Sequence, residues 1–284
     1  VIFGSDGLDG CEHSVFEIIS NSIDEAREGY GKKIVITRFL DHSVEVQDFG
    51  RGIPVDYNNR EKCYNWELVF CDLYAGGKYD TNDGGSYEYS LGLNGLGLCA
   101  TQYASEYMEA EVHSGGFCYE LQFKAGKING EMKKTPYDKK DTGTRIKWRP
   151  DLKVFTDIAI PLEYFQETLK RQSVVNPGIK FILKNQLTET KFETFEYIYE
   201  NGIVDYVNEF VGDDGLTTVQ FWQTERKGRD REDKPEYKVK INIALCFSNK
   251  KQMKEYYHNS SFLEHGGAPE KAARSAFVSQ IDAY

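Results

Sequence analysis

Residues 12–28 carry the most regular pattern in the 284-residue chain. Apolar and small side chains recur there at the 3.6-residue period of an α-helix, at Val15, Ile18, Ile19, Ser22, Ile23 and Ala26. The opposite side of this helix carries Glu17, Asn21, Asp24 and Glu28. On an arbitrary helix such a polar face is more often merely solvated. Its other interpretation is a metal–nucleotide face, where a carboxylate takes a proton from water and an amide oxygen ligates Mg²⁺.

A second pattern ends in a carboxylate followed by two glycines. Residues 34–37 and 44–48 predict two neighbouring antiparallel strands joined by a tight turn. Strand alternation places Asp48 on the same face as the two valines before it, so a buried face needs donors for the carboxylate. The exocyclic amine of adenine is such a donor, and Gly50 and Gly52 let a planar base approach the backbone. A plain strand-end turn with a solvated aspartate explains the pattern equally well.

The third pattern is a glycine-rich stretch between residues 76 and 97. Residues 75–80 read Ala-Gly-Gly-Lys-Tyr-Asp, and residues 91–98 place three glycines as G-x-x-G-x-G before a predicted helix 98–107. Backbone amides at such a helix start can hold phosphate oxygens. The order of glycines is not that of a dinucleotide fingerprint, and no Gly-Lys-Ser/Thr of a P-loop follows. Alone, the stretch is weak evidence for phosphate binding.

The composition of the chain limits its expected cellular compartment and binding partners. Six scattered cysteines without a CxxC pair predict free thiols in a reducing cytoplasm rather than disulfides or a zinc site. The net charge of −10 makes the chain a poor general binder of nucleic-acid phosphates. No apolar run approaches the roughly 18 residues of a membrane helix, and we expect no membrane partner and no signal peptide. We also expect the chain to be a segment of a longer protein.

In this order and within about 80 residues, the three patterns together resemble the GHKL ATPases, which include type II topoisomerases, Hsp90, MutL and histidine kinases. Four stretches look more specifically like the B subunits of bacterial type II DNA topoisomerases (gyrase and topoisomerase IV): residues 15–26, 46–54, 75–80 and 141–144. The Ala-Gly-Gly-Lys segment discriminates best among these families. The resemblance covers almost the whole chain, including His265-Gly266-Gly267 before the last predicted helix.

The resemblance implies a role for each matching residue. Glu17 matches the general base that activates water, Asn21 the ligand of Mg²⁺ and phosphate, and Asp48 the carboxylate that recognises adenine, assisted by Thr144 through ordered water. Glu25 and Arg51 match a pair that flanks the base. The full set of implied ATP-contacting positions is Asn21, Asp24, Glu25, Asp48, Arg51, Gly52, Ile53, Pro54, Lys78, Tyr87, Gly92, Leu93, Asn94, Gly95, Leu96, Gly97, Leu98 and Thr144.

The resemblance also implies the fold and the partners. We expect an α+β chain: a two-layer α/β sandwich of the GHKL (Bergerat) type over residues 1–200, then part of a second α/β transducer domain over residues 201–284. The expected cofactors are ATP and Mg²⁺. The expected partners are an A-type topoisomerase subunit, DNA in the full-length complex, and a second copy in an ATP-dependent homodimer. The resemblance also implies a Gln-Thr-Lys loop whose lysine contacts the terminal phosphate, and an N-terminal arm that crosses between subunits. Neither is found in this sequence, so we expect the chain alone to hydrolyse ATP poorly and to be largely monomeric.

Three departures from the family pattern and two rival interpretations accompany this resemblance. Leu91 stands where these proteins usually have glycine, Asn94 where they usually have histidine, and His113-Ser114 where many have an arginine. One rival is a GHKL ATPase of the chaperone or mismatch-repair kind; a histidine kinase is a weaker variant of it. The other rival is a non-enzymatic binding module whose helix face is simply solvated. Nucleotide binding separates the second rival from an ATPase.

Overall fold

Residues 3–73, 96–229, 231–233 and 236–284 are described by a computed structural model. The chain divides into two compact units. The first consists of Val1–Lys170 and Ile179–Tyr197, and the second of Arg171–Gly178 and Ile198–Tyr284. The boundary between residues 200 and 201 that the resemblance implies stays a prediction.

The first unit combines helices with one large sheet. Its helices are α1 (Leu8–Arg27), α2 (Asn65–Cys71), α3 (Gly97–Tyr103) and α4 (Leu162–Val175), the last of which continues into the second unit. Its strands are β1 (Lys33–Arg38), β2 (Val44–Gln47), β3 (Tyr57–Asn58), β4 (Cys63–Tyr64), β5 (Ser105–Ser114), β6 (Phe117–Lys124), β7 (Lys127–Ile128), β8 (Lys133–Pro136), β9 (Gly143–Pro150), β10 (Lys180–Gln186) and β11 (Phe192–Tyr197).

The large sheet is mixed and has nine strands among the described residues. Their order is β11-β10-β1-β2-β9-β5-β6-β7, with β8 pairing to β6. Strands β1 and β10 run parallel, and the other neighbours run antiparallel. The register of β1 and β2, with Val35 opposite Gln47 and Arg38 opposite Val44, confirms the antiparallel pair predicted for residues 34–37 and 44–48.

Helices cover one face of this sheet. Alternate residues of its central strands are buried, such as Val46, Met108 and Trp148, while the residues between them are partly exposed. The stripe predicted on α1 lies against this apolar face, and all six of its side chains are buried. The two-layer α/β sandwich is therefore confirmed. The sheet's other face carries polar side chains such as Glu45 and Arg145.

Helix α3 is fixed to both layers but is shorter than predicted. Trp148 Nε1 donates to the Thr101 carbonyl at 3.1 Å, and the Thr101 hydroxyl donates to the Ser14 carbonyl of α1 at 3.1 Å. The prediction extended this helix to Tyr107, which is wrong because Ser105 already begins β5. The Ser105 hydroxyl accounts for the stop, since it donates to the Gln102 carbonyl at 2.6 Å and competes with further helical turns.

Helix α1 begins four residues earlier than the prediction from residue 12. Gly10 lies inside its first turns, and a Cβ there would overlap the Ser5 carbonyl. A glycine at this position of the sequence predicts a helix end, because glycine destabilises a helix by about 1 kcal/mol relative to alanine. Here its missing side chain admits the preceding chain, so the helix extends back to Leu8.

The second unit contains α5 (Ile203–Val211), a short 3₁₀ helix (Gly212–Asp214), strands β12 (Gln220–Gly228), β13 (Tyr237–Leu245), β14 (Tyr257–His258) and β15 (Ser261–Phe262), and α6 (Gly267–Ala283). Strand patterns around residues 217–223 and 237–247, joined by the charged tract Glu225–Glu236, predict an exposed hairpin. Strands β12 and β13 do pair antiparallel, from Gln220 opposite Leu245 to Gly228 opposite Tyr237. The first strand runs farther into the charged tract than predicted.

All six cysteines are free thiols, and Cys11 and Cys99 are buried. Burial raises the pKa of Cys11 and of Cys99, each to about 12. Within the described ranges, no helix combines the length and the apolar character needed to cross a bilayer.

The packing of α1 on the sheet generates a stability prediction. Ile19 is fully buried, so Ile19→Ala removes apolar contacts and leaves a cavity, with an expected loss of about 2–5 kcal/mol in the free energy of unfolding. Glu28→Ala, at the exposed end of the same helix, is the control and should change it by less than about 0.5 kcal/mol. Urea unfolding of both variants measures the difference. Equal stabilities for the two variants would show that α1 is not anchored through this face.

Candidate functional site

Asp48 lies directly after β2 with its carboxylate on the helix-covered face of the sheet. Its Oδ1 accepts the backbone N–H groups of Gly50 and Thr144, both at 3.1 Å, and its Oδ2 accepts the Ser22 hydroxyl at 3.0 Å. Burial raises the pKa of this carboxyl, and the three donors oppose the rise. A carboxylate offers about four acceptor positions, so these donors leave capacity for one more on a side chain that is only partly buried.

Glycines keep the surroundings of Asp48 free of side chains. Gly52 and Gly143 have φ values of 89° and 143°, in the region that favours glycine. A Cβ on Gly143 would overlap the Asp48 carbonyl, and one on Gly50 would overlap the Glu25 side chain. A Cβ on Gly52 would lie 2.9 Å from a valine of β5. The close packing of backbone at this strand end therefore depends on glycine at all three positions.

Glu25 and Arg51 form a bidentate ion pair beside Asp48. Arg51 Nε lies 2.8 Å from Glu25 Oε1, and its Nη2 lies 3.0 Å from Oε2. The backbone N–H of Arg51 also donates to Oε1 at 2.8 Å. The guanidinium stacks over the Tyr30 ring at 3.9 Å. Two parallel hydrogen bonds and a stacked ring hold the planar guanidinium in one orientation at the edge of the site.

Thr144 connects the β9 strand to the chain that follows Asp48. Its side chain is buried, its N–H donates to Asp48, and its hydroxyl accepts the backbone N–H of Ile53 at 3.0 Å. Ile53 and Pro54 are both partly exposed. This places an apolar pair next to the carboxylate, as a flat aromatic ligand requires.

Glu17 lies at the other end of the site, against the start of α3. A Cβ on Gly97 would overlap the Glu17 carboxylate, so the acid touches the first residue of that helix. His13, one turn earlier on α1, forms an ion pair with Glu17 at 3.3 Å. Asn21 lies one turn later on the same helix and is partly exposed, as Glu17 is. An acid and an amide therefore stand together on an accessible face.

Helix α1 brings both ends of the site together. Glu17 and Glu25 are eight residues apart, which is about 12 Å of helix at 1.5 Å per residue. The acceptor region at Asp48, reached from α1 by Ser22, and the acid–amide pair at Glu17 are thus held at a fixed separation along one rigid helix. These groups fit a purine nucleotide with a divalent cation. The glycine-lined backbone and the carboxylate acceptor fit the base, and the side-chain oxygens of Glu17 and Asn21 are possible ligands of the cation.

Comparison with known proteins identifies the family. The DNA gyrase B protein of Treponema denticola is 37% identical over 210 residues, covering 72% of this chain and 32% of that protein. The DNA gyrase B protein of Spiroplasma citri is 31% identical over an alignment of 293 residues, covering 99% of this chain and 42% of that protein. No protein-family model matches the chain. The chain belongs to the type II topoisomerase B-subunit family.

Within this family the chain corresponds to the GHKL-type ATPase region. The crystal structure of the 43K ATPase domain of Thermus thermophilus gyrase B, in complex with an aminocoumarin, superposes with a TM-score of 0.67 at 21% identity and covers 87% of this chain and 59% of that one. This likeness shows the fold. The chain spans about a third of the Treponema denticola protein and 42% of the Spiroplasma citri one. A chaperone or mismatch-repair ATPase is not favoured.

Most of the site residues expected of this family lie together. Asp48, Arg51, Gly52, Ile53, Pro54 and Thr144 surround the carboxylate, Glu25 pairs with Arg51, and Glu17 and Asn21 lie along α1. Asp24 is buried beside Arg27, with 3.8 Å between carboxylate and guanidinium. Leu96, Gly97 and Leu98 lie at the start of α3. The predicted contacts Lys78, Tyr87, Gly92, Leu93, Asn94 and Gly95 lie outside the described residues.

Two residues of the site were missed in the sequence. Ser22 was assigned to the apolar stripe of α1, yet its hydroxyl donates to Asp48 at 3.0 Å. The signal available was a polar residue on that otherwise apolar stripe, because a buried hydroxyl needs a partner. The signal for His13 is its position four residues before Glu17 on the same predicted helix, the spacing at which side chains meet.

The contact between His13 and Glu17 predicts a titration. The hydrogen bond to Glu17 raises the pKa of His13, and burial opposes the rise. A raised pKa means that the contact stabilises the fold fully below about pH 6.5, the ordinary histidine value, and that this stability is lost as the pH rises through the raised value. In an NMR titration, Glu17→Gln should lower the pKa of His13. Glu28→Gln, farther along α1, is the control; an unchanged His13 pKa in Glu17→Gln would contradict the contact.

Proposed function

We propose that this chain binds ATP with Mg²⁺ between α1, the Asp48 strand end and the start of α3, and that it hydrolyses the terminal phosphate. The observation that carries the proposal is the Asp48 carboxylate, which three protein donors hold in place while it keeps acceptor capacity on a partly exposed side. Its surroundings are bare glycine backbone. An aromatic base with an exocyclic amine supplies the missing donor and fits against such a backbone.

Adenine recognition in this proposal uses the residues around β2 and β9. Asp48 accepts the exocyclic amine, and Thr144 assists through ordered water. Ile53 and Pro54 line one side of the base. The Glu25–Arg51 pair flanks it, held rigid by two hydrogen bonds and by Tyr30. Because the donors of Asp48 are already fixed, little reorganisation is needed when the base enters.

In this proposal, residues on the polar face of α1 carry out hydrolysis. Glu17 acts as general base and takes a proton from the attacking water, while Asn21 ligates Mg²⁺. Mg²⁺, when bound, neutralises charge on the phosphates. The backbone N–H groups of Leu96, Gly97 and Leu98 face phosphate oxygens at the start of α3, next to Glu17. The same role for Gly92 to Gly95, and nucleotide contacts for Lys78 and Tyr87, rest on the resemblance alone.

For the whole protein we propose the activity of a type II topoisomerase B subunit. ATP binding closes a homodimer and is coupled to DNA strand passage, with an A-type subunit and DNA as partners in the full-length complex. Residues 1–200 act as the ATPase domain. Residues 201–284 belong to a transducer domain that couples ATP binding in the ATPase domain to strand passage. Gyrase and topoisomerase IV share these elements, so both supercoiling and relaxation or decatenation fit the proposal.

Substituting Asp48 tests nucleotide recognition. Asp48→Asn turns one acceptor oxygen into an amide that faces N–H or O–H donors, and it removes the charge that accepts the adenine amine. A charged hydrogen bond contributes about 1.5–3 kcal/mol, so the affinity for a non-hydrolysable ATP analogue should fall roughly 10–100-fold or more by calorimetry. Asp157→Asn, an exposed carboxylate of the same unit, is the control. Equal affinities for the two variants would show that Asp48 does not recognise the base, and no measurable binding by the unsubstituted chain would favour a binding module unrelated to nucleotides.

Substituting Glu17 tests the chemical step. Glu17→Gln keeps the size and the oxygen of the side chain but loses the base, so the rate of ATP hydrolysis should fall by roughly 10²–10⁴-fold. Binding of the ATP analogue should stay within a few-fold, with Mg²⁺ present in both measurements. The outcome against this role is a variant that hydrolyses ATP as fast as the unsubstituted chain. Single-turnover measurements at saturating protein are the suitable assay, because they report the hydrolysis step directly.

A further inference from the structure

Three side chains of different ligand chemistry meet on the open face of the sheet, at the end of the β5–β6 hairpin. His113 and Cys118 are directly opposite each other in the register, and Glu111 lies two residues before His113 on the same face. One ligand atom from each of Glu111, His113 and Cys118 falls within 4.8 Å of the other two. Glu111 Oε1 lies 3.1 Å from His113 Nε2. All three residues are partly buried.

Neighbouring residues hold two of these side chains in place. Arg145 contacts Glu111 Oε2 through its guanidinium and lies 3.0 Å from Glu45 Oε2, which leaves Glu111 Oε1 turned towards the histidine. The His113 ring stacks on Tyr137 with 3.9 Å between centroids and 21° between planes. Tyr137 is itself held by a hydrogen bond to Asp141 at 3.1 Å. Such outer contacts orient metal ligands and fix ring rotation.

The ligand types select the class of ion. An imidazole nitrogen, a thiolate and a carboxylate oxygen form a borderline-soft set that suits Zn²⁺ and neighbouring transition metals and does not suit Mg²⁺ or Ca²⁺, which prefer oxygen ligands alone. The charges also agree. The negative charges of the Glu45 and Glu111 carboxylates and the Cys118 thiolate equal the positive charges of a divalent ion and the Arg145 guanidinium.

We propose that Glu111, His113 and Cys118 form a three-ligand site for a Zn²⁺-class ion, with the fourth tetrahedral position open to water. This revises the expectation from cysteine spacing alone, because a histidine and a glutamate supply the other two ligands. On binding, the Cys118 sulfur forms a bond to the ion and its thiol proton leaves to solvent; no electron transfer is involved. The site differs from the nucleotide site, because these side chains lie on the face of the sheet opposite to Asp48, with Val112 of the same strand buried towards the helices.

The site also has a place in the fold. Its ligands join the two arms of the hairpin near their turn, and the carbonyl of His113 lies 3.1 Å from where a Cβ on Gly52 would be. A bound ion therefore fixes the hairpin end that backs the glycine segment after Asp48. Metal binding should raise the thermal unfolding temperature of the chain, as any ligand of the folded state does.

Titration of the metal-free chain with Co²⁺, in competition with Zn²⁺, tests the proposal. Co²⁺ should bind with one equivalent per chain and give the near-ultraviolet absorption of a cobalt–thiolate bond, and one equivalent of Zn²⁺ should remove it. Cys118→Ser should abolish that band, and His113→Gln should weaken metal affinity at least tenfold, because losing outer partners alone costs about 10–100-fold. Cys246→Ser, a partly buried thiol of the second unit, is the matched control and should behave as the unsubstituted chain.

Either of two results would overturn the proposal. The site is wrong if the chain shows no stoichiometric Zn²⁺ binding, or if binding persists unchanged in both Cys118→Ser and His113→Gln. Thermal unfolding without metal checks that each variant is folded. If Cys118→Ser does not fold, His113→Gln together with Glu111→Gln decides the question through affinity alone. Addition of millimolar Mg²⁺ should leave the cobalt band unchanged.

Discussion

The Asp48 carboxylate has to be satisfied on the buried face of a sheet, and the surrounding structure meets that requirement from three directions. Ser22 reaches it from helix α1, Gly50 from the turn that follows, and Thr144 from the neighbouring strand. A carboxylate buried without such donors costs several kcal/mol, so these contacts tie α1, β2 and β9 to one position. Because the donors do not use every acceptor position, the same group that organises this end of the sheet is able to select a ligand.

Helix α1 links the Asp48 end of the candidate site to its Glu17 end. Its apolar side packs on the sheet, so its polar side has one orientation, with Glu17 near the start of α3 and Glu25 holding Arg51 near Asp48. The helix is rigid, and the separation of acid and base-reading groups is therefore set by residue spacing alone.

The sequence predicted periodic elements well and their ends poorly. The stripe of α1 and the alternation of β1 and β2 follow from helix and strand periods, which depend on local spacing. The start of α1 depends on Gly10 meeting the Ser5 carbonyl, and the end of α3 on the Ser105 hydroxyl, contacts between parts of the chain that no period describes. For the candidate site, residue type and order singled out Glu17, Asn21 and Asp48, and their roles stay a prediction. Ser22 was missed because its partner lies 26 residues away and its position looked apolar.

A crystal structure of the chain with a bound non-hydrolysable ATP analogue and Mg²⁺ tests the account most directly. The expected result is the exocyclic amine of the adenine within about 3.2 Å of an Asp48 carboxylate oxygen, a normal hydrogen-bond distance, with the terminal phosphate on the Glu17 side of α1. A base bound anywhere else, or an Asp48 carboxylate that contacts only protein groups while nucleotide is present, contradicts it.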